Sequence, residues 1–171
     1  MEIGFGERLL RDWQQGDEYA LVKYASNRRI WINLRDSFPH PYTMDDARWW
    51  IGHAANKPGT NFAIINGAEA IGGIGIMLQE DVYRHSAEIG YWLGEPFWGR
   101  GIATWALSAM TKYAFATFNI VRLYATVFEW NPASARVLEK NGFHLEGILH
   151  KSITKGGSTI DSSLYSLVKP A

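Results

Sequence analysis

The sequence predicts an α+β fold: a mixed central β-sheet flanked by helices. Three observations lead there. Runs with two-residue apolar alternation, such as HSAEIGYWL and VRLYATVF, read as strands. Runs with 3.6-residue apolar spacing read as helices, two of them consecutive near the start. The resulting order, β-α-α-β-β-β-α-β-α-β-β, is not the regular alternation of a doubly wound parallel sheet.

Each element has a local reason. Residues 7–13, ERLLRDW, read as the first strand. A helix follows from Asp17, its expected N-cap, to near Ser26. Residues 27–42 are irregular and dense in aromatic side chains. Thr43 is placed to cap a second helix, TMDDARWWIGHAA, with Asp46 at the capping-box position. Met44, Ala47, Trp50, Ile51 and Ala54 fall on one face of it. TNFAII and AEAIGGIGIMLQ are separated by Asn66-Gly67, a strong hairpin signal. Residues 86–93 alternate, with Ala87, Ile89, Tyr91 and Leu93 on one side. The next helix repeats Ala103, Leu107, Met110, Ala114 and Phe118 at helical spacing. Residues 121–128 form a further strand. Asn131 caps a helix with Pro132 at its first position, and Gly142 closes it after Asn141. FHLEGILHKSI and STIDSSLYSLV make a final pair of strands around Gly156-Gly157.

Composition limits the function classes. The chain has 171 residues, 47% hydrophobic and 20% charged, which suits one globular domain spanning 1–171. Lys+Arg and Asp+Glu are both 17, so no basic surplus supports general nucleic-acid binding. No cysteine is present, which excludes disulfides, cysteine-ligated metal and an acyl-cysteine intermediate. His40, His53, His85, His144 and His150 show no metal-ligand spacing, so no metal is expected. The start, MEIGFGERLL, lacks the basic and apolar regions of a secretory signal. No apolar run approaches the ~20 residues of a membrane helix. A soluble cytoplasmic protein is expected, without membrane contact.

The segment richest in chemistry is FWGRGIATWAL, residues 97–107, which opens a helix directly after the strand at 86–93. Gly99 and Gly101 carry no side chain to hold a ligand away from the backbone. The first N–H groups of a helix lack internal partners and carry the positive end of its dipole. Together these features suit a phosphate or pyrophosphate. A bare β–α turn is the structural alternative. The segment is no Walker loop, which would end in Gly-Lys-Ser/Thr. The dinucleotide fingerprint would need Gly or Ala where Thr104 stands.

W-G-R-G-I-A, residues 98–103, resembles the Q/R-x-x-G-x-G/A pyrophosphate motif of the GNAT superfamily of acetyl-CoA-dependent N-acetyltransferases, with Trp98 in place of Gln or Arg. NPASARVLEKNGF, residues 131–143, resembles the GNAT helix beside the pantetheine arm. The substituted first position and residues 27–47 resemble the branch typified by the RimJ and RimL ribosomal-protein acetyltransferases. The resemblance covers nearly the whole chain. It implies the GNAT fold, whose sheet splays at the cofactor site between the strands near 86–93 and 121–128. It implies that the cofactor is acetyl-CoA, held by Tyr91, Trp92, Leu93, Trp98, Gly99, Arg100, Gly101, Ile102, Ala103, Thr104, Asn131 and Ser134. Many members carry a Tyr acid four residues after that Ser. Here the place is Leu138, so the resemblance passes the role to Ser134.

Glu88 lies in an apolar strand, where a buried carboxylate costs several kcal/mol unless paired. A structural ion pair with an arginine is one reading. The other, which the RimL-like resemblance favours, is a general base. A primary amine is largely protonated near neutral pH and must lose a proton before it attacks a thioester. Catalytic roles therefore fall to Glu88 and Ser134. Residues 27–50 form the expected acceptor wall. Trp31, Asn33, Asp36, Phe38, His40, Tyr42 and Trp49 are candidates to hold an amine by cation–π and carboxylate contacts, against an alternative in which the aromatics simply pack.

The expected activity is acetyl transfer from acetyl-CoA to a primary amine by direct attack. A protein N-terminus is the favoured acceptor, and a small amine the other. A non-catalytic acyl-CoA-binding or sensing domain is the rival class, left open by Leu138. Many relatives form homodimers, and the resemblance implies one here.

Overall fold

The computed structural model describes residues 2–5 and 8–169. Strand β1 (Glu2–Phe5) pairs antiparallel with β2 (Arg8–Asp12), so the single strand expected over 7–13 is preceded by another. Glu7 lies outside the described residues. Four residues with a central glycine are too short to show a period, which is why β1 left no trace in the pattern.

Helix α1 (Glu18–Ala25) begins where expected, but Asp17 does not cap it with its side chain. Its carboxylate accepts from both Arg11 terminal nitrogens (2.7 and 2.8 Å) and from the Gln14 N–H (2.9 Å). A bidentate guanidinium is the stronger claimant. Helix α2 (Arg28–Trp31) interrupts the segment expected to be irregular. Helix α3 (Met44–Ala55) has the full capping box between Thr43 and Asp46, and buries Ala47, Ile51 and Ala54.

Strands β3 (Asn61–Asn66) and β4 (Glu69–Leu78) form the hairpin signalled by Asn66-Gly67. Then come β5 (Ser86–Leu93), α4 (Ile102–Thr117), β6 (Arg122–Phe128), α5 (Pro132–Lys140), β7 (His144–Lys155) and β8 (Ser158–Val168). Short 3-10 turns at Asp81–Tyr83 and Glu95–Phe97 fall outside the sequence-based expectations.

The strands form a mixed eight-stranded sheet in the order β1-β2-β3-β4-β5-β6-β8-β7. β5 and β6 pair in parallel through Ser86↔Arg122, Ala87↔Leu123 and Glu88↔Tyr124. There the register stops, although the strands run on to Leu93 and Phe128.

Two compact units divide the chain. One takes residues up to Gly75 together with Tyr91–Ala106; the other takes Ile76–Gly90 and the chain from Leu107 onward. The core of the first gathers Trp13, Leu21, Ala25, Tyr42, Ala47, Ile51, Ala54, Ala63, Ile65 and Ala70. In the second, Leu107, Met110, Ala114, Leu123 and Leu138 are fully buried.

Candidate active site

The glycine turn belongs to the first unit. β5 ends at Leu93, and the Gly94 N–H bonds the Ile71 carbonyl at 2.7 Å. A Cβ on Gly94 would lie 3.1 Å from that carbonyl oxygen and 3.2 Å from Tyr24, so a larger residue here would have to push its neighbours back by a few tenths of an ångström. After the 3-10 turn and extended Trp98, Gly99 and Gly101 adopt φ +74° and +70°. A Cβ on either would meet no atom within 4 Å, so the space over the turn is open. Helix α4 then starts, and its first bond runs from the Trp105 N–H to the Gly101 carbonyl at 3.0 Å. The N–H groups of Ile102 and Ala103 precede that bond, at the positive end of the dipole. The turn fits an anionic group held by backbone donors.

The turn is held from several sides. Trp98 Nε1 donates to the Leu93 carbonyl at 2.7 Å, which ties the ring back to the end of β5. Arg100 lies 5.8 Å over the Phe97 ring. Its carbonyl accepts from Arg8 at 3.3 Å. The Glu95 carboxylate accepts from Asn27 Nδ2 at 2.7 Å and from Arg29 Nη1. The Asn27 amide first, and then the Arg29 charge, hold the Glu95 carboxyl below its usual range. The Arg29 guanidinium lies 5.2 Å over the Trp98 ring. Glu95, Asn27, Arg29 and Arg8 were not anticipated. The one local signal was Asn27, a good N-cap residue: its Oδ1 accepts the Arg29 N–H at 2.8 Å.

The expected acceptor wall is only partly one surface. Trp31 faces His40 at 5.7 Å and carries the Arg28 guanidinium at 5.7 Å. Asn33 Nδ2 caps the Arg29 carbonyl at 3.0 Å, while its Oδ1 is buried without a hydrogen-bond partner. Asp36 and His40 are exposed. Phe38 packs against Tyr42 (5.0 Å) and Trp92 (5.7 Å). Two of the candidates face in opposite directions. Tyr42 is 5% exposed and sits in the core cluster, where burial pushes its hydroxyl pKa up. Trp49 stands apart on the outer face of α3, 65% exposed and stacked on His53 at 4.9 Å. Both rings lie on or beside one amphipathic helix, and aromatic content alone could not separate inward from outward positions.

Among the cofactor candidates on β5, Trp92 packs beside the core cluster, Tyr91 is half-buried and Leu93 is buried.

Glu88, Asn131 and Ser134 lie in the second unit. Glu88 is half-buried rather than buried, in register with Tyr124. Asn131 caps α5: its Oδ1 accepts the Ser134 N–H at 3.4 Å, and Pro132 follows at the first helical position. At the other end Gly142, at φ +80°, closes a Schellman motif. The Phe143 N–H bonds the Leu138 carbonyl (3.1 Å) and the Gly142 N–H bonds that of Glu139 (3.0 Å). Leu138 is fully buried and Ser134 half-buried. Among the described residues, no group of three or more His, Asp or Glu side chains is placed to hold a metal ion.

The family model "Acetyltransferase (GNAT) domain" matches residues 8–144. The chain belongs to the GNAT acetyltransferase family. An uncharacterized N-acetyltransferase, p20 of Bacillus licheniformis, is 30% identical over 99% of this chain and 97% of its own. The uncharacterized N-acetyltransferase YoaA of Bacillus subtilis is 38% identical, but over 60% of this chain and 57% of that protein. The ribosomal-protein-serine acetyltransferase of Escherichia coli is 34% identical over 63% of this chain and 59% of its own length. Among solved structures, the ribosomal L7/L12 α-N-protein acetyltransferase RimL, in complex with coenzyme A, superposes with a TM-score of 0.86 at 23% identity. That match covers 99% of this chain and 98% of RimL. The enzyme class read from the sequence, an acetyl-CoA-dependent N-acetyltransferase of RimJ/RimL-like type, stands. Among the described residues of this acetyltransferase, no helix is long and apolar enough to cross a membrane.

Proposed function

We propose that this GNAT enzyme transfers the acetyl group of acetyl-CoA to a primary amine, with a protein N-terminus as the favoured acceptor. The observation that carries the cofactor part is the open, left-handed Gly99/Gly101 turn at the start of α4. The backbone of residues 99–104 would hold the pyrophosphate, with Trp98 and Arg100 flanking it. Main-chain groups of Tyr91, Trp92 and Leu93 would align the pantetheine arm, and Asn131 and Ser134 would meet its thioester end.

The reaction needs no acyl-enzyme. Glu88, directly or through water, accepts a proton from the acceptor ammonium. The amine nitrogen forms a bond to the thioester carbonyl carbon, and the C–S bond then breaks as the carbonyl re-forms. The second proton lost by that nitrogen passes to the departing sulfur, leaving the amide and free coenzyme A thiol. Ser134 Oγ–H donates toward the departing thiolate. Holding the two substrates together supplies much of the rate. Trp31, Asn33, Asp36, Phe38 and His40 are the residues proposed to line the acceptor side.

The acceptor class draws support from the relatives named for ribosomal-protein acetylation, one named for serine and one for an α-amino group. The rival reading, a CoA-binding domain without turnover, draws on buried Leu138, which leaves α5 without a tyrosine acid at that place. Thiol release from acetyl-CoA, measured over a panel of peptide N-termini, polyamines and amino acids, decides between them. Acceptor-dependent release, highest with peptides, is expected. Coenzyme A binding with no release on any amine would favour the non-catalytic domain.

A further inference from the structure

Glu95 joins two segments to which the proposed function gives separate tasks. It opens the 3-10 turn that leads into the glycine turn, and the Phe97 and Trp98 N–H groups bond the carbonyls of Gly94 (3.0 Å) and Glu95 (3.1 Å). Its carboxylate reaches Asn27 and Arg29, 68 and 66 residues earlier in the chain. Asn27 is the cap of α2 and Arg29 lies within it. The same helix ends in Trp31, which faces His40, and its Arg29 carbonyl receives Asn33. Arg29 also covers the Trp98 ring, whose Nε1 is fixed on the Leu93 carbonyl. The Tyr24 ring, one turn before α2, meets Phe97 edge-on at 5.3 Å.

An exposed ion pair on its own contributes little. The Arg29 side chain is 69% exposed and that of Glu95 34%. Here, however, one carboxylate holds a helix cap and a guanidinium at once, and that guanidinium lies on an aromatic ring next to Gly99. Arg29 thus touches the turn through the Trp98 ring and through Glu95, and it belongs to the backbone of the four-residue helix that Asn27 caps. A helix of four residues has no internal stability to resist displacement.

We propose that Glu95 and Arg29 are a positioning pair that transmits occupancy of the glycine turn to α2, so that the bound cofactor orders the acceptor-side segment. This rests on the assignment of the turn to coenzyme A. The pair touches no reacting atom. It acts through Trp98 on one side and through the α2 cap on the other.

The test is hydrogen–deuterium exchange by mass spectrometry on the full chain, free and saturated with coenzyme A. In the wild type, coenzyme A should slow exchange both at residues 99–105 and at residues 27–32. In Glu95→Gln, which keeps the shape and an acceptor for Asn27 but removes the charge, slowing at 99–105 should persist. Slowing at 27–32 should shrink by about two- to fivefold, the size of effect one exposed ion pair supports. Arg29→Ala should behave alike, and Arg29→Lys should recover part of the response. A merely structural pair would lower the melting temperature without uncoupling the two segments. Slowing at 27–32 that survives in both Glu95→Gln and Arg29→Ala would overturn the proposal, as would its absence in the wild type. No slowing at 99–105 in the wild type would instead sink the assignment of the turn itself, and the coupling with it.

Discussion

Tyr165 on β8 donates its hydroxyl to the Glu139 carboxylate on α5 at 3.1 Å, tying the helix that carries Ser134 to the sheet. Tyr165 is 6% exposed, and burial, then the neighbouring carboxylate, raises its pKa. Tyr165→Phe should therefore cost about 0.5–1.5 kcal/mol in chemical denaturation, the usual net value of one hydrogen bond. Unchanged stability would show that Leu138 and the Schellman closure hold α5 alone.

Asn131 and Ser134 separate capping from chemistry. Asn131→Ala should lose roughly 1 kcal/mol as a missing N-cap, and should impair turnover beyond that loss. Ser134→Ala keeps the backbone N–H that Asn131 accepts, so its stability should stay near wild type while kcat falls. Wild-type kcat in Ser134→Ala with a good acceptor would remove Ser134 from the mechanism.

Glu88→Gln tests the base. It keeps the shape and removes proton acceptance, so kcat near neutral pH should fall by about 10²–10⁴-fold. The defect should shrink at high pH, where the acceptor amine is already neutral. A structural role predicts a lower melting temperature and a loss that pH does not relieve. A stable variant with wild-type kcat would pass the proton to solvent or to another group, with His40 the first to examine.

Glu146 sets an acid-side stability dependence. Hydrogen bonds from Arg122 (2.5 and 2.6 Å) and from Ser166 (2.5 Å) lower its carboxyl pKa to about 2. A depressed carboxyl contributes stability above its unfolded pKa of about 4.3, and that contribution is lost as pH falls through the folded value. The melting temperature should drop between about pH 4 and 2, and Glu146→Gln should flatten this part of the profile. An equally steep profile in the variant would assign the acid sensitivity to other carboxylates.

Much of this was legible because the signals were local. Asn66-Gly67, Thr43 with Asp46, and Asn131-Pro132 ahead of Gly142 each specify a turn or cap within a few residues, and each forms. Gly99 and Gly101, read from the sequence as a glycine turn opening a helix, form that turn with a left-handed backbone. What local signals did not reveal is how side chains pair and pack once the chain has folded. Asp17 is taken from its helix end by Arg11, Glu95 is bound by Asn27 and Arg29, and Tyr42 turns into the core while Trp49 turns out. Hydrophobic period cannot report such pairings, because charge and hydrogen-bond geometry decide them only once the chain has folded.

The central claim is that acetyl-CoA is held by the glycine turn, and calorimetric titration of coenzyme A into wild type and Gly101→Val tests it most directly. Valine at φ +70° is strained, although no protein atom lies within 4 Å of the new Cβ. Gly67→Val, equally left-handed at φ +61° with no atom within 4 Å of its Cβ but in the β3–β4 hairpin, controls for that strain. The account predicts that Gly101→Val weakens coenzyme A binding by about tenfold or more, because the side chain occupies the space a phosphate needs, while Gly67→Val binds as wild type does. Wild-type affinity in a folded Gly101→Val protein would contradict it.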